Sequence, residues 1–398
     1  MANYFDSFSH LDELLTQSRC FWQFMPFSQL DYQWRETYPE LCEWLENLSE
    51  AQLAEYQNNA ELLAHTLKKW IPQSVELFNA TSLAFLPQKE TELPRGSDTG
   101  IPGRKWQQIT AFTSALPKLG LPWLEWCAGK GHLGRVLALS HQQPVVSLEW
   151  QDQLCIDGEA MAQHLNLPIT FVQADAFAKE SQQHIKTEQH AVALHACGDL
   201  HTSLLQHCAA KQAAAVSISP CCYHLIRSDF YQMLSEYGKK TQLQLSKHDL
   251  RLPLQETVTA GQRVQALRET EVSFRLGFDA LQRHVRDVDE YLSVPNTQKA
   301  LFNQGFSAFC HWAAEKKSIN LAGLDIDYDY WLAEGKRRFQ ISERMELVRQ
   351  LFRRPLEMWL VLDRACFMVE QGYQVEIGLF CEKPMTPRNI LINAYISK

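Results

Sequence analysis

Residues Leu124–Gly134 read LEWCAGKGHLG. A short apolar run ends there in Gly129, Gly131 and Gly134, the spacing G-x-G-x-x-G, and a helical pattern follows. A glycine turn between a strand and its helix lets a ligand approach the backbone closely, and either a dinucleotide or S-adenosylmethionine suits such a turn. The glycines alone do not choose between them. Glu125 stands four residues before Gly129, at the strand end, where a pyrophosphate would approach the helix N-terminus. A carboxylate there repels phosphates and attracts the ammonium and sulfonium of S-adenosylmethionine.

Outward from this loop, short apolar runs alternate with helical segments, the pattern of a parallel sheet with crossover helices. The runs are PWLEW, PVVSLEW, ITFVQAD, AVALHAC and AAVSISP, and far downstream YQVEIGLFCE and NILINAYI flank the turn KPMTPR. The expected fold class is therefore α/β, a seven-stranded Rossmann-like sheet ending in an antiparallel pair. Glu149 ends the second run, eighteen residues after Gly131, where an acid accepts hydrogen bonds from ribose hydroxyls; Asp175 ends the third, where it receives an adenine amino group. Each acid alone also suits a helix cap.

The flanks suggest the domains. Residues 12 to 78 show helical periodicity, and the Pro-, Gly- and charge-rich LPQKETELPRGSDTGIPGRK reads as a linker. We expect an N-terminal helical domain over 1–95, the first part of the sheet domain over 100–238, a mainly helical insertion over 239–350, and the final helix and hairpin over 351–398.

The 398 residues carry a net charge of −8, and residues 1–60 alone hold ten acids against Arg19 and Arg35. That acidic region is a candidate to bind another protein. Lys336, Arg337, Arg338, Arg344, Arg349, Arg353 and Arg354 form a basic run near the end, suited to phosphate contacts although such runs are commonly solvated faces. No apolar run reaches eighteen residues and no basic, apolar leader opens the chain, so a cytoplasmic protein is expected. Eleven scattered cysteines suit mostly free thiols.

Three stretches, the E-x-C-A-G-K-G-H-L run, LHACGDL at 194–200 and SPCCYHL at 219–225, together resemble a methyltransferase-like subfamily of the class I S-adenosylmethionine-dependent methyltransferases. That subfamily is related to tRNA 2′-O-methyltransferases with a C-A-G-x-G loop. GIPGRKWQQI is similar to a Lys-containing motif that precedes the first strand, and VLDRACFMVEQGY with LFCEKPMTPRN is similar to a terminal segment holding S-P-R. The resemblance covers about 100–238 and 355–398. Departures are Gly134 where relatives often have Ser, Thr386 in place of the Ser of S-P-R, and Arg104-Lys105 in place of two lysines. A Cys/His cluster resembling the zinc module of the tRNA enzymes does not precede residue 100.

The resemblance implies S-adenosylmethionine as cofactor, with Lys105, Glu125, Cys127, Gly129, Gly131, His132, Glu149, Asp175, Cys197 and Gly198 as its binding residues. The acceptor would sit over the ends of the fourth and fifth strands, beside His195, Asp199, Cys221, Cys222 and Tyr223, with His201 and His224 as further proton-transfer candidates. His195 also suits a satisfied histidine at a strand end. Tyr223 would offer a flat face to a base. A thiolate of Cys221 or Cys222 could attack a pyrimidine, though the pair is read first as shaping the pocket. His195, Cys197, Cys221, Cys222 and His224 match no familiar metal spacing, so no metal is expected. RNA is the expected acceptor. The alternatives are a protein or small-molecule acceptor, a non-catalytic S-adenosylmethionine-binding module and, weakest, a Rossmann dehydrogenase.

Overall fold

The computed structural model describes residues 3–89, 92–255 and 262–396, with the side chains of 262–265 left aside. Among the described residues the first helices are α1 Tyr4–Gln17, α2 Pro39–Glu46, α3 Glu50–Asn58, α4 Ala60–Leu67, α5 Ser74–Asn79 and α6 Gly103–Ser114. There follow β1 Trp123–Trp126, α7 His132–His141, β2 Val145–Glu149, α8 Asp152–His164, β3 Ile169–Gln173, β4 His190–Cys197, α9 Asp199–Lys211 and β5 Ala215–Cys221. The chain closes with α10 Gln262–Arg286, α11 Lys299–Phe302, α12 Phe306–Lys316, α13 Tyr328–Gln350, α14 Arg353–Glu370, β6 Gln374–Leu379 and β7 Ile390–Tyr395. No described helix is long and apolar enough to cross a membrane.

The seven strands form one sheet in the order β3-β2-β1-β4-β5-β7-β6. The first five are mutually parallel, and β7 lies antiparallel to both β5 and β6. Every residue of β1 and β5 is buried, as strands covered on both faces must be. Between β1 and β4 the strand order reverses, which opens a crevice beyond their carboxyl ends. This is the expected α/β, Rossmann-like sheet of seven strands.

The chain divides into two compact units, one of residues 1–17, 79–258 and 353–398, the other of 18–78 and 259–352. The helical N-terminal stretch is thus shared between them, which differs from a single domain over 1–95. In the sheet unit α1 packs on α14: Phe8 stacks on Trp359 at 5.4 Å, and Asp12 Oδ1 accepts from Trp359 Nε1 at 2.8 Å. The stretch read as a linker is partly structured as well. Leu86 donates its N–H to Leu379 O and Ala84 O accepts from Leu379 N–H, each at 2.9 Å; residues 90 and 91 of that stretch lie outside the described residues.

The second unit has its own core of Phe274, Phe278, Phe302, Phe306 and Phe309. Helices α10 and α13 approach closely at glycine: a Cβ on Gly335 would lie 2.2 Å from Ser273 O. Arginines of the expected phosphate-binding run have partners within the protein. Arg338 is buried against Asp279 and the carbonyls of Leu276 and Phe27, and Arg349 is buried against Trp22 O and Glu346. Arg337 bonds Glu334 and Leu30 O, and Arg344 bonds the carbonyls of Leu45 and Leu48. A guanidinium presents five donors, and helix-end and loop carbonyls use them here. In the sheet unit Arg354 is tied to Glu357 and Asn389, and Arg353 also has a partner. Lys336 is exposed.

Candidate cofactor and acceptor site

The glycine loop leaves β1 through Cys127, Gly129 and Gly131, which all hold positive φ (57°, 59° and 68°). A Cβ on Gly129 would meet nothing within 4 Å, so the loop faces open space, whereas one on Gly131 would strike the Phe171 ring at 2.4 Å. Glu149 fastens the loop from β2: its Oε2 accepts the Gly129 N–H at 2.8 Å and its Oε1 accepts that of Gln151 at 3.0 Å.

Glu125 lies beneath the loop and is not on its open side. Its carboxyl is buried, accepts from Ser147 Oγ at 2.7 Å, and takes backbone hydrogen bonds from Leu133 and Gly134 in the first turn of α7. Burial pushes its pKa up to about 7, against the opposing pull of Ser147, the Gly134 and Leu133 amides and the Lys105 charge. Gly134 has no side chain because a Cβ there would lie 2.6 Å from Glu125 Oε2. The charge argument for Glu125 therefore takes a different physical form: the carboxyl occupies the very amides that a pyrophosphate would need.

His132 begins α7 with Nδ1 buried and without a hydrogen-bond partner. Desolvation first, then Lys105, Arg135 and Lys130, lower its pKa to about 4, so the ring is neutral at physiological pH. Asp175 Oδ1 accepts the Phe177 N–H at 2.9 Å. Two exposed aromatics flank these acids: Trp150 follows Glu149 at 66% exposure, and Phe177 follows Asp175 by two residues with Arg227 over its ring at 5.3 Å. Sequence reasoning overlooked both, although an aromatic just past a strand-end acid was the signal available. An open glycine cradle, a strand-end acid bonded to its amide, an orphaned imidazole nitrogen and flat apolar faces together suit S-adenosylmethionine.

The ends of β4 and β5 carry the second half of the site. β4 has a register shift between Leu194 and Cys197, and within it His195 adopts φ 74°. Such bulges re-aim side chains beside functional crevices. His195 is exposed, and its Nε2 lies 3.1 Å from Gln108 Oε1 on α6. With that oxygen accepting, Nε2 carries the ring proton and Nδ1 keeps a lone pair. The protein around the ring and Lys105 lower the His195 pKa. Gly198 at φ 57° permits contact with the next loop, since a Cβ would lie 2.0 Å from Leu225 O. Asp199 Oδ2 accepts the Arg227 N–H at 2.7 Å, so it braces that loop.

Cys197 Sγ lies 3.5 Å from Cys221 Sγ. Hydrogen bonding from Cys221, then Cys197, and the charges of His224 and Arg388 outweigh desolvation and hold the Cys222 thiol down near 5, while Cys221 is pushed up. Burial, then the Glu149 and Cys197 charges, push Cys127 to about 12. Two expectations are corrected here. Tyr223 is buried, with Arg364 over its ring at 5.2 Å and its hydroxyl on Glu357 Oε1, so it offers no face to a base. His201 is also buried: Arg364 Nε donates to its Nε2 at 2.7 Å and its Nδ1 lies 3.0 Å from Ala196 O, so both ring nitrogens are engaged.

Residues 104–229 match a sequence family described as a methyltransferase domain. This stretch makes up 126 of the 398 residues. It holds β1 through β5 and all of the strand-end groups above. Glutathione S-transferase C-terminal domain-containing proteins are similar to the chain: that of Xenopus laevis is 33% identical over 132 residues, 31% of this chain and 20% of its own length. That of Homo sapiens is 29% identical over 246 residues, 56% of this chain and 36% of its own length. The chain thus spans about a third or less of the curated relatives it matches. Among solved structures, Aeropyrum pernix fibrillarin with bound S-adenosyl-L-methionine is similar at TM-score 0.25 and 11% identity, over 28% of this chain and 52% of that one. TrmN from Thermus thermophilus is similar at TM-score 0.26 and 16% identity, over 34% and 46%.

Proposed function

We propose that the methyltransferase domain moves a methyl group from S-adenosylmethionine to RNA. The observation that carries the cofactor reading is the occupation of the α7 amides by Glu125, which removes the phosphate seat a dinucleotide needs and leaves the glycine loop to a cationic ligand. When bound, the sulfonium supplies a carbon already activated for in-line displacement. The chain's residues then hold and orient. Glu149, released from the Gly129 amide, accepts the ribose hydroxyls; Asp175 receives the adenine amino group; Trp150 and Phe177 stack against the ring; Lys105 meets the carboxylate of the amino-acid part. His195, neutral and with Nδ1 free, takes a proton from the acceptor.

Support for RNA comes from the rim of this crevice and not from α13. Arg227 is exposed there with its guanidinium over the Phe177 ring, so an RNA phosphate finds a cation at the edge of the crevice. The test is transfer of labelled methyl from S-adenosylmethionine to RNA, protein and small-molecule fractions of cells lacking the gene. Label in the RNA fraction is the expected result. Label confined to protein or metabolites overturns the acceptor, and label in none of them overturns the activity.

A further inference from the structure

Three cysteines that stand 24 and 25 positions apart or adjacent in sequence meet at one point of the sheet. The sulfurs of Cys197, Cys221 and Cys222 all lie within 4.8 Å of one another, with Cys197 and Cys221 at 3.5 Å. Two local distortions produce this. Successive side chains of a regular strand point to opposite faces, so Cys221 and Cys222 would normally diverge. Cys222 instead takes φ 46°, which turns its sulfur to the side of its neighbour. On β4, the bulge at His195 sets Cys197 level with Cys221 as its partner in the register.

We infer that Cys197, Cys221 and Cys222 form a binding site for a Zn²⁺ ion, with the fourth position open to the crevice. Tetrahedral zinc with Zn–S bonds of about 2.3 Å separates its sulfurs by about 3.8 Å. The observed spread needs only sub-ångström to ångström adjustment. Cys197 and Cys222 are half-buried, so an ion has an entry path, and Cys221 closes the floor of the site. A disulfide needs two sulfurs, and the third would have no role in one; three convergent soft ligands are the donor set of a thiophilic cation. Binding forms three S–Zn bonds, releases a proton from each sulfur that still holds one, and leaves a centre of charge −1. A partner for that charge is present: Arg388 acts electrostatically on Cys222, and its Nη1 is buried without a hydrogen-bond partner.

The site goes beyond the transfer reaction and stands whether or not RNA is the acceptor. Its test is elemental analysis of the full chain purified under reducing conditions, followed by titration of the metal-free protein with Co²⁺ alone. About one zinc per chain, with an intense thiolate-to-cobalt absorption at about one equivalent, is expected. Cys222→Ser and Cys197→Ser should lose most of the zinc while melting cooperatively, and Cys42→Ser, on α2, should keep it. Retention of zinc in both site variants overturns the proposal. So does copper or iron in place of zinc, an octahedral cobalt spectrum, or a Cys197–Cys221 disulfide in the purified chain.

Discussion

Glu125 and Glu149 sit at the ends of adjacent strands, yet only Glu149 bonds the Gly129 amide of the loop. Glu149 is held by backbone amides that a ribose can replace, so Glu149→Ala should weaken S-adenosylmethionine binding by about 1–3 kcal/mol, measured by calorimetry; unchanged affinity refutes its assignment. Glu125 carries a pH signature. Unfolded, its carboxyl titrates near its ordinary 4.5, and folded near 7, so between these values the native chain holds a proton that the unfolded chain has lost. Stability therefore falls as pH rises through this window, by on the order of 3 kcal/mol, and the loss is complete above the folded value. Urea melts at pH 5 and pH 8 should show this loss in the wild type and a smaller one in Glu125→Gln; equal losses would remove Glu125 as the cause. At this scale sequence reading found the strand-end acids, because spacing from the glycines places them. It could not tell which acid is buried, because that depends on Ser147 and α7 closing over Glu125.

The strands of the sheet were legible as elements: a buried parallel strand is a short, nearly continuous apolar run, and all seven runs became strands. The arginines of α13 were not. Helical spacing of Arg338 and Arg349 reads as a charged face, but their partners are Phe27, Trp22 and Asp279, far away in the chain, so no local pattern announces their burial. Asp279 accepts from Arg338, Arg283 and Gln282 and from the Leu292 N–H, all between α10 and its surroundings. Asp279→Ala leaves a buried guanidinium unpaired and should cost about 3–5 kcal/mol in denaturant unfolding. A loss below about 1 kcal/mol would show that the carbonyls alone satisfy Arg338. Tyr223 failed for a related reason. The motif puts it next to the cysteines, while Arg364 and Glu357 of α14 draw it into the core.

For the whole molecule, sequence order hides the division into units, since 18–78 and 259–352 join across 180 intervening residues of the sheet unit. Periodicity is a local quantity and carries no trace of such a closure. The candidate site, by contrast, is drawn from strand ends within one unit, so the loop, the acids and the cysteine motifs that local spacing picks out all lie at or just past the carboxyl ends of strands of one sheet. Its cofactor is the central claim. Titration calorimetry of the full chain with S-adenosylmethionine and, separately, with NAD tests that claim most directly. Binding of about one S-adenosylmethionine per chain, and no heat from NAD, is the expected result. Saturable NAD binding with no response to S-adenosylmethionine would contradict it.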